Sequence, residues 1–255
     1  LSRIEFSALT DTGIKRTNNE DSFLVLDGKN IFAVADGMGG HSSGEIASRI
    51  AVETISEFFS KNDISEDSTW PYAYDDNISF EGNKLKTAVA VANEKIQEYA
   101  SEHPESRGMG TTVVAVQVID SRLVLCHVGD SRCYLFRDGK LGALTSDHSW
   151  VNEQVKLGLL SEEEAQRHPF RNVITKALGT KGEATAEINE TTNREGDLLL
   201  LCTDGLNSMI SDDEIAGIIS KDSSLEEKAK SLIEAANNNG GEDNITLVLV
   251  KIASS

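Results

Sequence analysis

Four aspartates in this sequence stand where apolar runs of strand type end or begin, each close to glycine. Ile31-Phe-Ala-Val-Ala35 stops at Asp36, with Gly37-Met38-Gly39-Gly40 behind it, and Leu198-Leu-Leu-Leu-Cys202-Thr203 leads to Asp204-Gly205. Leu123-Val-Leu-Cys-His-Val128 ends in Gly129-Asp130, and Gly240-Gly241-Glu242-Asp243-Asn244 opens the last apolar run. One Asp-Gly pair after a strand is ordinarily a turn. Four such places permit another reading. If the strand ends converge, carboxylates about 4 Å apart repel by roughly 4 kcal/mol per pair at an effective dielectric near 20, so folding disfavours the cluster unless cations neutralise it. Carboxylates, backbone carbonyls and water select hard divalent ions, Mg²⁺, Mn²⁺ or Ca²⁺, whereas the scattered histidines and cysteines offer no zinc spacing. The glycine after Asp36 lets a carbonyl approach an ion closely.

Arg16-Thr17-Asn18-Asn19-Glu20-Asp21 adds a guanidinium and two acids near the N-terminus. Taken alone it is a surface mixture of charges. Beside a metal site the planar guanidinium suits bidentate contact with a phosphate, and Glu20 or Asp21 suits orienting a water on the metal.

The elements that must position these groups are legible from periodicity. Strand-type runs cover Ile4 to Leu9, Phe23 to Leu26, Ile31 to Ala35, Thr112 to Val118, Leu123 to Val128, Tyr134 to Phe136, Leu198 to Cys202 and Ile245 to Ile252. Asp27-Gly28, Asp120-Ser121 and Asp138-Gly139 read as short turns, which makes the neighbouring strands antiparallel. Ile46 to Phe58 and Leu85 to Ile96 each keep one apolar helical face. Ser161-Glu-Glu-Glu164, Ser211-Asp-Asp-Glu214 and Ser223-Ser-Leu-Glu226 read as capping boxes, and His168-Pro169 as a helix stop. Asp63 to Gly82 is polar and reads as a loop before the second helix, while Ser146 to Gly179 reads as a compact excursion able to cover a site. The expected fold is α+β: two mainly antiparallel sheets packed face to face, with helices outside, in one domain over 1–255 and with 146–179 as a flap within it.

A formal net charge of −18 repels nucleic acid and anionic membrane, so neither is an expected partner. It also repels a phosphorylated substrate, so the site itself must be locally cationic. Cys126, Cys133 and Cys202 are few, odd in number and without paired spacing, which suits the cytoplasm. A monomer is the expected state.

Taken together, Arg16 to Asp21, Ala35-Asp36-Gly37-Met38-Gly39-Gly40-His41, Gly110-Thr111-Thr112, Val128-Gly129-Asp130-Ser131-Arg132, Ser146-Asp147-His148-Ser149, Arg171 to Gly179, Thr203-Asp204-Gly205-Leu206 and Asp243-Asn244 resemble, in order, the motifs of the metal-dependent protein phosphatase 2C family in its bacterial form. The resemblance implies a four-layer α-β-β-α sandwich. It also implies hydrolysis of phosphoserine and phosphothreonine on phosphorylated proteins, in signalling, by two Mg²⁺ or Mn²⁺ ions and without a phosphoenzyme. By the same resemblance Asp36 bridges the ions, Asp204 and Asp243 bind one, and the Gly37 carbonyl binds the other, on which Glu20 acts through water. Arg16 holds the substrate phosphate, and Asp130 matches the aspartate of a third, weaker metal. Two departures stand out. Met38 occupies the place where many eukaryotic members carry a histidine that protonates the leaving oxygen, with His41 near enough in sequence to substitute. Ser208 stands where some relatives have an acid for the third metal.

Two other functions compete. Gly40-His41-Ser42-Ser43-Gly44 fits the Gly-x-Ser-x-Gly pattern of serine hydrolases, with Ser42 as nucleophile, but Asp36 to Gly39 intervene between strand and serine, and no histidine follows His168. In a non-catalytic module that binds metal or phosphoprotein, the flap would present a partner surface and the acids would merely hold structure; turnover of a simple phosphomonoester with Mn²⁺ separates the two.

Overall fold

A computed structural model of the chain describes residues 3–40, 43–61, 73–180 and 184–253, with Lys61 described in its backbone only. His41, Ser42 and residues 63–72 of the polar stretch read as a loop lie outside the described residues. The first half contains β1 (Arg3–Asp11), β2 (Asp21–Leu26), β3 (Ile31–Met38), α1 (Ser43–Lys61), α2 (Phe80–Glu102), β4 (Gly110–Thr111), β5 (Val113–Ile119) and β6 (Arg122–Val128). There follow β7 (Arg132–Arg137), β8 (Lys140–Ala143), α3 (Trp150–Lys156), α4 (Glu162–Arg167) and β9 (Glu187–Thr192). The chain ends with β10 (Leu198–Cys202), α5 (Asp204–Asn207), α6 (Asp212–Ile219), α7 (Leu225–Asn238) and β11 (Ile245–Ala253).

One sheet has the order β1-β11-β10-β7-β8 and the other β2-β3-β5-β6-β9, with β4 paired to the end of β3. Every pairing is antiparallel. Side chains alternate across each strand, and that alternation sorts the core into three layers. Ile31, Ala33 and Val113 face α1 and α2, against Ile55, Leu85 and Ile96. Leu198, Leu200 and Leu247 face α6 and α7, against Ile215, Leu232 and Ile233. Between the sheets, Phe32, Val34, Val114 and Leu125 meet Leu199, Leu201, Val248 and Val250. The result is the four-layer α-β-β-α arrangement expected from the sequence.

Each strand-type run read from the sequence is a strand, and the differences are local. β3 runs on past Asp36, because Gly37 and Met38 pair with Thr111 and Gly110 of β4. Gly37 has to be glycine: a Cβ there would strike the backbone oxygens of Gly44, in the first turn of α1, and of Glu20. Asp204 begins a one-turn helix instead of sitting in a turn. The last capping box lies one residue later than read, on Ser224 and Glu227. Ser79 caps α2, so the preceding loop ends three residues earlier than the sequence suggested. β9 escaped the sequence reading because Glu-Ile-Asn-Glu-Thr-Thr is a polar edge strand with little to bury. The Asp138-Gly139 turn is as read, with φ of 51° and 74° between Arg137 and Lys140, a two-residue hairpin of positive φ.

The layer between the sheets can be tested through Leu201, which has no exposed surface. Leu201→Ala should lower the unfolding free energy by about 2–5 kcal/mol in urea denaturation, the range for a fully packed leucine; a loss well under ~1 kcal/mol would mean the sheets do not pack as described.

Candidate metal centre

The inter-sheet layer becomes polar at one end, and the same alternation causes it. Residues two beyond the buried valines and leucines fall on the same face. Asp36 therefore follows Phe32 and Val34, Thr112 precedes Val114, Thr203 follows Leu201, and Thr246 precedes Val248. Asp21, the first residue of β2, stands directly opposite Asp36 in the β2–β3 register. Directly opposed residues of an antiparallel pair have Cβ atoms about 4.5–5.5 Å apart, on one face.

Electrostatics join the acids from the separate elements. Burial pushes the Asp36 carboxyl far above the usual carboxylate range, and Asp21, Asp204, Asp130 and Asp243 push it further. Burial raises Asp21 to about 7, with Asp204 and Asp243 adding to the shift and hydrogen bonds from Thr246 and Thr203 opposing it. Burial, then Asp204 and Asp147, raise Asp130 to about 7. Asp204 is raised by burial and by Asp243, partly offset by a hydrogen bond with Asp36. Glu20 is also raised, mainly by burial, with Arg16 opposing. A group of buried carboxyls that all resist ionisation is one that a hard cation would neutralise.

Hydroxyls and amides fix the acids in place. The Asp36 N–H donates to Thr112 Oγ1 at 3.0 Å, and its carbonyl accepts from Thr111 Oγ1 at 2.8 Å and Thr112 N–H at 2.9 Å. Thr203 Oγ1 donates to Asp21 Oδ2 at 2.8 Å, while the buried Asp21 Oδ1 has no partner. Asn244 staples the N-terminal loop: its Nδ2 donates to Thr12 O and Asn18 O, both at 2.9 Å, and its Oδ1 accepts the Glu20 N–H at 2.8 Å. Gly13, at φ 77°, packs on the Asp243 carbonyl, and the Ile14 and Lys15 amides donate to Gly241 O at 2.8 and 3.0 Å. This seam brings Arg16 beside Asp243, Nη2 to Oδ2 at 2.7 Å. That pair is half exposed on the arginine side, so it is weak and exchangeable.

A Cβ added to Gly44 would meet Glu20 Oε2 at 2.5 Å and the Gly37 carbonyl oxygen at 2.8 Å, so these two oxygens flank one point at the start of α1. An orphaned buried carboxylate oxygen, further acids of raised pKa and a carbonyl make an all-oxygen donor set, which fits Mg²⁺ or Mn²⁺. A cavity of about 560 Å³ opens beside Asp130 and Asp204, with Ser208 on one side and Gln166, Arg171 and Asn172 of the 146–179 excursion on another.

The sequence-predicted residues Asp36, Asp204, Asp243, Asp130, Glu20, Gly37 and Arg16 thus gather at one end of the sandwich. The residues alone left Glu20 and Asp21 as alternatives and the resemblance selected Glu20, so the buried Asp21 opposite Asp36 was passed over, as was the anchoring work of Thr112, Thr203 and Asn244. The alternation along β5 and β10, with Thr112 two residues before Val114 and Thr203 two after Leu201, is the signal that could have found the first two.

A model of the family described as protein phosphatase 2C matches residues 14–248. The chain is 39% identical over 252 residues to protein phosphatase PhpP of Streptococcus pneumoniae, covering 98% of each. Among solved structures, the S. agalactiae serine/threonine phosphatase is 37% identical with a TM-score of 0.88, over 98% of this chain and 100% of that one. The catalytic domain of the serine/threonine protein phosphatase PstP in complex with two manganese ions is 34% identical with a TM-score of 0.82, over 98% and 99%. By fold, site and sequence, this chain belongs to the protein phosphatase 2C family.

Proposed function

We propose that this chain hydrolyses phosphoserine and phosphothreonine on phosphorylated proteins with two Mg²⁺ or Mn²⁺ ions, and the observation that carries the reading is the convergence of acids at one end of the inter-sheet layer, with Asp21 opposite Asp36, a buried Asp21 oxygen without a partner, and Asp130 and Asp204 on one cavity. Asp36, at the centre of the cluster, together with Asp204, Asp243, the Gly37 carbonyl and the nearby Glu20, would hold the pair of ions, and Asp130 would serve a third. When bound, a pair of such ions activates water and neutralises charge on the phosphoryl oxygens. Arg16 supplies the remaining positive charge: its exposed guanidinium leaves Asp243 and takes phosphate oxygens with its planar fork. Asn244 and Thr112 keep the acids and the arginine loop in register during this exchange.

No covalent intermediate is needed, and the cysteines are poor candidates for one. All three are buried, and burial pushes the Cys126 and Cys202 thiols up to about 12. In this reading residues 1–255 act as one phosphatase unit, with 146–179 as a flap beside the cavity. No described helix is long and apolar enough to cross a membrane. Buried free thiols and a charge of −18 favour a cytoplasmic monomer without nucleic-acid partners.

Purified protein should turn over p-nitrophenyl phosphate and phosphothreonine peptides with Mn²⁺ and stop in EDTA; turnover unaffected by EDTA would sink the proposal. Asp36→Asn, Asp204→Asn and Asp243→Asn should each abolish this activity in folded protein, whereas Arg16→Ala should mainly raise KM, because a phosphate contact made before and during reaction is uniform binding.

Metal-free protein should also show a particular pH dependence. The carboxyls at Asp21 and Asp130 start from 3.8 unfolded and reach about 7 folded. Stability from their protonated forms is complete below the unfolded value and is lost as pH rises through the folded one. In EDTA the melting temperature should therefore be higher at pH 6 than at pH 8. Saturating Mn²⁺ should remove or reverse that difference, since the ions bind the deprotonated acids. A melting temperature in EDTA that stays flat or rises with pH would contradict the buried cluster.

A further inference from the structure

Among the described residues, His127, His148 and Glu187 form a group of metal-ligand type apart from the acids, with ligand atoms within 4.8 Å of one another. The hydrogen bonds argue against a cation there. The Gly129 N–H donates to His148 Nδ1 at 3.1 Å, which places the ring proton on Nε2, 3.3 Å from Glu187 Oε2. Both His148 nitrogens are thus occupied. His127 Nε2 lies 3.1 Å from the Ser146 carbonyl, which can only accept, so that nitrogen carries its proton too. The two rings stack with centroids 4.6 Å apart and planes 8° from parallel, so their in-plane lone pairs do not converge.

What the group does hold is backbone. The His148 N–H donates to Gly129 O at 2.9 Å while Gly129 returns its own N–H to the ring, a reciprocal clasp between the turn that carries Asp130 and the start of the 146–179 excursion. The far end of the excursion is tied to the same residue: the Thr175 N–H donates to His148 O at 2.8 Å, next to the Ser149–Ile174 bridge. Gly129, at φ 105°, packs on Thr112, whose hydroxyl holds the Asp36 amide and lies 2.6 Å from Ser131 Oγ. A displacement of this turn therefore reaches both Asp130 and Asp36. Arg132 and Asp147 make a second tie between turn and excursion, a bidentate pair at 2.8 and 2.7 Å.

We propose that His148 is a positioning residue, whose neutral ring, oriented by Glu187, locks the Gly129–Asp130 turn to the base of the 146–179 excursion and so sets Asp130 toward the acid cluster. The inference rests on the phosphatase reading. Burial, then His127 and Lys176, hold His148 below the usual histidine value against the opposing pull of Glu187, which keeps the Nδ1 lone pair available to Gly129. Asparagine offers an oxygen where Nδ1 stands; alanine offers nothing. That contrast separates positioning from bulk packing.

The experiment compares wild type, His148→Ala and His148→Asn, each checked for folding by circular dichroism, in two assays. The first is amide hydrogen exchange at Gly129 to Ser131 in metal-free protein. The second is Mn²⁺-dependent hydrolysis of p-nitrophenyl phosphate. His148→Ala should lose protection at the turn and fall roughly 10- to 100-fold in kcat or in Mn²⁺ affinity, the usual cost of losing a residue that orients a ligand. His148→Asn should recover protection and most of the rate, and nitrogen NMR of wild type should show His148 unprotonated at Nδ1. An Asn variant as impaired as Ala, an Ala variant with full protection and rate, or Zn²⁺ bound between His127 and Glu187 would overturn the inference. Wild-type protein without Mn²⁺-dependent turnover would instead overturn the phosphatase reading.

Discussion

Asp21 and Asp36 face each other across paired antiparallel strands at the end of a dry inter-sheet layer, with Asp130 and Asp204 brought up beside them. Like charges directly opposite on a sheet destabilise it, and burial multiplies the cost, which the counter-charges of Arg16 and Arg132 only partly relieve. The chain nonetheless holds the acids firmly. Two threonines fasten the Asp36 peptide, a third bonds Asp21, and Asn244 ties in the loop bearing Glu20 and Arg16. Repulsion within such scaffolding is relieved either by protonation of the acids or by cations from outside the polypeptide. Strain in the metal-free fold and affinity for hard ions are two expressions of one arrangement.

The surrounding architecture converts that arrangement into a site with direction. The hydroxyl layer separates the valines and leucines of the core from the acids, so water and ions reach the carboxyls without wetting the sheets. Glycines do the close work where backbones cross. Gly37 lets the end of β3 lie on the first turn of α1, and Gly13 lets the arginine loop lie on the Asp243 carbonyl. Side chains at either place would push the Glu20 and Arg16 segments away from the acids they serve.

Much of this was written in the sequence, for a physical reason. Apolar runs with period two become strands whether or not their partners are known, and the serine-glutamate boxes at Ser161 and Ser211 cap helices as local chemistry requires. Local signals also have local errors: Ser223 and Ser224 are adjacent serines with glutamates at matching distance, and only packing selects the second. What stayed hidden was of long range. Asn244 acts on residues 226 and 232 positions away, and Thr112 on Asp36, 76 away. No local pattern encodes such contacts. The acids themselves were visible because each sits at a strand end, although Asp36 proved to lie within its strand, where pairing with β4 carries the backbone on.

The net charge of −18 looks ill suited to a phosphorylated substrate, and distance resolves the conflict. At physiological salt the Debye length is about 8 Å, so most of the surface charge is screened from a phosphate entering the cavity. The acids lining the approach are not screened. Asp130 and Asp204 line the cavity, and in their ionised form they oppose an incoming phosphate, while Arg16 is itself engaged by Asp243. In the proposed reading, ions held by these acids would remove that opposition before any question of chemistry arises. Metal ions held by Asp243 would compete with Arg16 for the same carboxylate, so in the proposed reading loading the metals would also release the guanidinium toward the phosphate.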